Sequence, residues 1–284
     1  MPIQPERLLN HRFEDLAQTY APRDAILYAL GVGLGRDPCD RGDLAYLLET
    51  GLQILPTFAV TLASPGMWIA APEFGVDFAK LVHAEQAASF HAPLPPTADV
   101  VARAQVISLT DRGPGRGAVL VLERSIRDAT GGAHYCTLRQ TLWLRGDGGF
   151  GGSRHLSAPS VVPDREAERR ASAPVSSRAA LIYRLSGDRN PLHADPDTAR
   201  RAGFDRPILH GLATYGMACV AVARACGHAP GRVKALRCRF SGVVFPGDFI
   251  DFRIWNAENR AMFQAFVGER KVLDQGLATF EAAQ

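Results

Sequence analysis

"HGLATYGMACVAVARACG", residues 210–227, is apolar on nearly every face. A helix without a polar stripe is buried on all sides, and Gly227 is the C-terminal stop such a helix needs. The next residues have strand character. "FSGVVFPGDFIDFRIW" opens at Phe240. It carries turn chemistry in Pro246-Gly247-Asp248 and then apolar residues at every second position, the period of a strand. "AMFQAFVGER" and "KVLDQGLATFEA" supply further strands. A buried helix followed by antiparallel strands reads as α+β, a sheet wrapped round a helix.

The same order of parts occurs earlier in the chain. "RDAILYALGVGLG", residues 23–35, is a helical run. "FHAPLPPTADVVARAQVISL" then opens at Phe90 and repeats the scheme of Phe, spacer, apolar residue, Pro, Asp and alternation. "GAVLVLERSIRD" and "AHYCTLRQTLWLRG" come next, joined through the turn "DATGG". The repeat is weak in identity and strong in order. Between the copies lies "GGSRHLSAPSVVPDREAERRASA", with Gly, Ser, Pro and dense charge but no amphipathic period. The expected organisation is therefore a first domain over 1–150, a linker over 151–173 and a second domain over 174–284.

Composition excludes several classes. The chain has 284 residues, 46% hydrophobic and 21% charged, as in soluble globular proteins. No apolar run reaches the ~20 residues that span a bilayer, and the first residues do not read as a signal peptide. The last residues match no peroxisomal or ER-retention signal. Cys39, Cys136, Cys219, Cys226 and Cys238 are scattered, without a C-x-x-C, and read as reduced thiols of a cytoplasmic protein. A net charge of +3, with no basic run among aromatics, argues against nucleic acid.

Chemistry concentrates in "LSGDRNPLHAD", residues 185–195. Pro191 biases Asn190 away from helix. Asp195 reads as the N-cap of a short helix whose first position is Pro196. Asp188 and His193 thus share a tight loop and can face one small volume. Singly, each residue reads as a turn or core residue. A short cap, however, needs one Asp or Asn, not an Asp-x-Asn-x-x-His cluster. Gly211 opens the buried helix, where a backbone N–H is aimed at negative charge and a glycine admits close approach. That is one part of an oxyanion hole. His210 beside it reads as orienting the turn.

The run Tyr-x-x-Ser-Gly-Asp-x-Asn-Pro-Leu-His, followed by Leu-His-Gly, resembles the MaoC-like or type 2 (R)-specific enoyl-CoA hydratases. Their two-domain form is a double hot-dog. "LPTFAV", "FAKLVHAEQ", "LPPTADV", "TDRGPG", "AGFDRPILHG" and "RFSGVVFPGD" extend the similarity along nearly the whole chain outside the linker. The resemblance implies an acyl-CoA thioester substrate and hydration of a trans-2-enoyl-CoA without a cofactor. It implies Asp188 and His193 as the acid–base pair holding a water, Asn190 orienting it and the Gly211 amide as oxyanion donor. It further implies a first domain that has lost the site and accommodates the acyl chain. His83 and Ala84, where the family has His-Gly, would touch the thioester arm. Arg112, where the family usually has Lys, would meet a CoA phosphate, and Phe240 would pack on the adenine or pantetheine. Glu49 matches an acidic family position but lies in the other half.

Other readings are open at this level. They are a hydratase or dehydratase for branched or dicarboxylic (mesaconyl-type) enoyl-CoA, a hot-dog thioesterase, or a non-catalytic acyl-CoA binding protein. Monomer and homodimer are both compatible. "GDGGFGG", residues 146–152, lacks the Gly-Lys-Ser/Thr ending of a phosphate loop. "HADPD" has no recognised zinc spacing, so no metal is expected.

Overall fold

The computed structural model describes residues 2–152 and 162–282. The helices are α1 (Pro5–Leu9), α2 (Pro22–Gly31), α3 (Arg41–Leu44), α4 (Ala179–Tyr183), α5 (Pro196–Arg201) and α6 (Gly211–Ala225). The strands are β1 (Leu16–Tyr20), β2 (Leu81–Phe90), β3 (Ala98–Asp111), β4 (Ala118–Asp128), β5 (His134–Leu144), β6 (Arg169–Pro174), β7 (Val233–Phe240), β8 (Phe249–Ala257), β9 (Arg260–Val267) and β10 (Arg270–Phe280). All ten form one antiparallel sheet in the order β1-β3-β4-β5-β2-β7-β10-β9-β8-β6. From either edge inward, the order is the same once five is added to the strand number. The two copies therefore meet at β2 and β7, where Glu85 faces Arg239 and Ala87 faces Arg237.

The linker expectation is corrected here. β6 lies inside the stretch read as linker and pairs with β8, Ala171 opposite Phe252. Its residues are exposed or half-buried along their whole length. An edge strand whose core-facing side chains are only Ala171 and Ala173 has no strong apolar alternation to reveal it. Part of the linker, residues 153–161, lies outside the described residues.

The expectation of a long helix in each copy is met in full by the second. α6 runs fifteen residues with its central stretch buried throughout. It closes with paired bonds, Gly227 N–H to Arg224 C=O at 2.9 Å and His228 N–H to Ala223 C=O at 2.9 Å, with Gly227 at φ +81. That is a Schellman stop. In the first copy α2 has ten residues and packs against α4. Both come after their copy's edge strand, and both carry Ala-x-x-Tyr (Ala25 to Tyr28, Ala180 to Tyr183). The segment facing α6 is only a 3-10 helix, Pro56–Thr61. The run ends at Leu62, whose backbone is extended, and Ala63 follows in the left-handed region at φ +44.

One core joins the copies. Tyr28, Phe58, Tyr183, Tyr215, Phe252 and Phe263 all belong to it. A Cβ at Gly216 would lie 2.6 Å from the Tyr28 hydroxyl and from a Val32 methyl, so only glycine lets α6 press this closely on the first copy. A smaller cluster of Leu8, Ile69, Phe74, Leu120 and Leu144 lies under the first copy alone. The five cysteines are free thiols. Among the described residues no helix is long and apolar enough to cross a membrane.

Candidate active site

The chain leaves α4 through a 3-10 turn, Arg184–Ser186, and turns sharply at Gly187, φ +116. Asp188 is next, exposed, and its Oδ1 accepts the Asn190 N–H at 3.1 Å. Asn190 Oδ1 accepts the Leu192 N–H at 3.0 Å and so caps the next turn, Pro191–His193. Its side-chain oxygen thus holds the loop. Asp195 accepts from the Asp197 amide at 3.0 Å and the Thr198 hydroxyl at 2.6 Å, the expected N-cap of α5.

The loop buries His193, whose Nδ1 lies 2.9 Å from the Ile208 carbonyl oxygen. A carbonyl only accepts, so Nδ1 carries the proton and Nε2 is left as a lone-pair nitrogen. Burial lowers the His193 pKa, against the opposing pull of the Ile208 bond and the Asp188 carboxylate. His210, 1% exposed, stacks on it with ring centroids 3.8 Å apart and an interplanar angle of 29°. Its Nε2–H donates to the Asp188 carbonyl at 3.1 Å. Burial, then the neighbouring His193, push its pKa down to about 4. Both rings are therefore neutral near pH 7.

The carboxylate of Asp188 and a ring nitrogen of each histidine lie within 4.8 Å of one another. Among the described residues this is the group whose donor types and spacing could hold a metal ion. One nitrogen of each ring is engaged by a carbonyl, Nδ1 of His193 and Nε2 of His210, which leaves the other as a lone-pair acceptor. The arrangement suits a hydrogen-bonded water.

Gly211 begins α6 immediately after His210. As a first-turn amide it has no partner within the helix. Phe240, at the end of β7, lies across it: a Cβ at Gly211 would sit 3.3 Å from the Phe240 ring. His83, from β2 of the other copy, meets the Phe240 ring edge-on at 5.0 Å. Its Nε2–H donates to the Glu85 carbonyl at 3.1 Å, and burial pushes its pKa to about 4, with Asp188 near enough to oppose this. Ala84 is the unpaired residue of a bulge between the His83–Leu142 and Glu85–Thr141 pairs.

Of the sequence-derived residues, the fold thus gathers Asp188, Asn190, His193, Gly211, Phe240, His83 and Ala84 around the joint of the copies. Arg112 is elsewhere. It sits on the β3–β4 turn with its guanidinium 5.4 Å over the Trp143 ring. Glu49 is exposed beyond α3.

The first copy, residues 18–146, matches the model of the MFE-2 hydratase 2 N-terminal domain, and residues 159–276 match the MaoC like domain. The chain is 40% identical over 283 residues to the 3-hydroxyacyl-thioester dehydratase Y of Mycobacterium tuberculosis, covering 95% of this chain and 96% of that one. This chain belongs to the MaoC-like hydratase 2 family. It is 36% identical to the peroxisomal enoyl-CoA hydratase 2 of Arabidopsis thaliana, covering 93% and 90% of the two chains. The crystal structure of a MaoC-like dehydratase from Phytophthora capsici superposes with a TM-score of 0.86 at 31% identity, covering 99% and 98%. The fold is the double hot-dog.

Two features of this MaoC-like chain were not read as part of the site from sequence. The 3-10 segment of the first copy reaches it, with the Thr61 carbonyl 3.9 Å from where a Gly187 Cβ would be. That segment is fixed in turn by buried Arg124, whose Nη2 donates to the Val60 carbonyl at 2.8 Å. An arginine at an inward position of an alternating strand, in register with Leu122 and Ile126, is the signal that was available. "GDGGFGG" proves to be a loop knitted onto the buried Asp111 carboxylate, which accepts from the Gly149 amide at 2.8 Å and the Gly151 amide at 2.7 Å.

Proposed function

We propose that this chain is a hydro-lyase that adds water across the Cα–Cβ double bond of a trans-2-enoyl-CoA and gives the (R)-3-hydroxyacyl-CoA. Dehydration is the same equilibrium in reverse. The observation that carries the reading is the cluster of the Asp188 carboxylate and the neutral His193 with His210, which leads directly into the first-turn amide of Gly211. A water between Asp188 and His193 loses a proton to one of them as its oxygen bonds to Cβ. The same pair returns a proton to Cα on that face. Acid–base help of this kind contributes about 10²–10⁴-fold. As the double bond is consumed, negative charge builds on the thioester oxygen. A donor such as the Gly211 N–H stabilises it by ~3–4 kcal/mol. Asn190 acts through the loop it caps.

His83, Ala84 and Phe240 take the thioester and pantetheine arm at the joint of the copies, and Arg112 a CoA phosphate, an ionic contact suited to a guanidinium. The second copy, from β6 at Arg169 onward, does the chemistry; the first, 1–150, accommodates the acyl chain.

The test monitors the enoyl-thioester absorbance with short, medium and long trans-2-enoyl-CoA substrates, for wild type, Asp188→Asn and His193→Ala. Loss of the enoyl signal without release of free thiol, abolished in both variants, is the expected result. Release of free CoA thiol would replace the reading with a thioesterase.

A further inference from the structure

His210 is not needed for either proton transfer above, yet the fold buries it almost completely against both groups that make them. Four consecutive residues, 208–211, touch every part of the proposed machinery. The Ile208 carbonyl sets the His193 tautomer at 2.9 Å. The His210 ring stacks under His193 and donates to the Asp188 carbonyl. Gly211 presents its amide. The stretch is itself pinned to the body by the Leu209 N–H to Val244 C=O bond at 2.7 Å, and Tyr183 backs the His210 ring at 4.9 Å.

Asp188 needs such support. It is exposed and comes after a glycine in the left-handed region, and its Oδ1 bonds only within its own loop. Among the described residues, the bond from His210 is the one hydrogen bond that ties Asp188 to anything beyond that loop.

We infer that His210 is a positioning residue, resting on the hydratase reading: its hydrogen bond to the Asp188 backbone and its stack on His193 clamp the catalytic loop to the first turn of α6. The acid–base pair and the oxyanion donor then keep one mutual geometry. Displacing such groups by about 1 Å can cost ~10²-fold in rate.

Two variants separate the clamp from a mere core filler. His210→Phe keeps a ring to stack on His193 and Tyr183 but has no donor. His210→Gln keeps an amide N–H at the reach of Nε2 but has no ring. The clamp predicts that His210→Phe lowers kcat by ~10²-fold and leaves KM within about threefold. His210→Gln should recover kcat to within about tenfold of wild type, since it restores the donor. Hydrogen exchange on the free protein gives a readout independent of turnover. Amides of residues 187–193 should exchange faster in His210→Phe than in wild type or His210→Gln, with α6 and the sheet unchanged. Wild-type kcat and exchange in His210→Phe would overturn the clamp, as would equal losses in both variants. Absence of enoyl-CoA turnover by the wild type would overturn the hydratase reading instead, while exchange would still decide the clamp.

Discussion

Tyr28 and Tyr183 hold equivalent places in the two copies, and their rings lie 5.8 Å apart in the shared core. Counting on from each tyrosine shows where the copies part. Five residues later stands Gly33 in one and Asp188 in the other; ten residues later, Pro38 and His193. The helical segment ahead of the joint strand starts with Pro56 in one and Gly211 in the other. A proline has no N–H to offer an oxyanion. The first copy thus lacks the carboxylate, the imidazole and the donor together, while it keeps the strand order and the buried tyrosine. Its loop borders instead a cavity of about 720 Å³, lined among others by Val32, Gly33, Met217 and Val220. The two halves share the strand order, and among the described residues the cluster of Asp188, His193 and His210 occurs in the second alone.

The comparison can be broken most directly at the loops. Asp188→Asn and His193→Ala should each lower kcat by about 10²–10⁴-fold. Adding Gly33→Asp and Pro38→His to the double variant should recover nothing, because Pro56 still supplies no amide. Enoyl-CoA turnover in that quadruple variant would show that the first copy lacks less than its residues imply. Gly211→Pro removes the donor and also presses a ring on Phe240, 3.3 Å from the Cβ position. Proline suits the first helical position but removes the N–H, so kcat should fall by ~10²–10³-fold with the fold retained by circular dichroism.

A third effect concerns the support from the first copy. Arg124 is 9% exposed and pairs with backbone carbonyls rather than a carboxylate, and burial lowers its pKa to about 10. Arg124→Ala leaves the Val60 carbonyl buried without its donor. The expected loss is ~2 kcal/mol in urea unfolding, with a rise in KM as the Pro56–Thr61 segment loosens against Gly187.

A further effect is in acid, and it draws on one histidine from each copy. His83 and His210 are each held near pKa 4 by burial, against ~6.5 in the unfolded chain. Between these values the unfolded chain binds more protons, so stability rises with pH through that window. It is fully present above about pH 6.5 and declines toward pH 4. Thermal unfolding across this range should show the decline. His83→Gln and His210→Gln should each flatten it. An unchanged slope in both would mean that neither ring is held neutral by the fold.

The sequence by itself determined the parts whose causes are local. The all-round apolar run of α6 required burial, and Gly227 its stop. Alternation marked β3, β4, β5, β8, β9 and β10. Turn and cap residues placed Asp188, Asn190 and His193 on one loop with Asp195 capping the next helix. Only the tertiary structure decided the rest. β6 is a strand because β8 offers it a ladder, not because its own residues alternate. His83 and Phe240 meet because β2 pairs with β7 across the two copies. His210 lies under His193 and bonds Asp188 because residues 208–211 fold back beneath the loop. Each of these depends on partners far along the chain. A periodic pattern records which face of an element is buried, but not against what, and that pairing assembles the site.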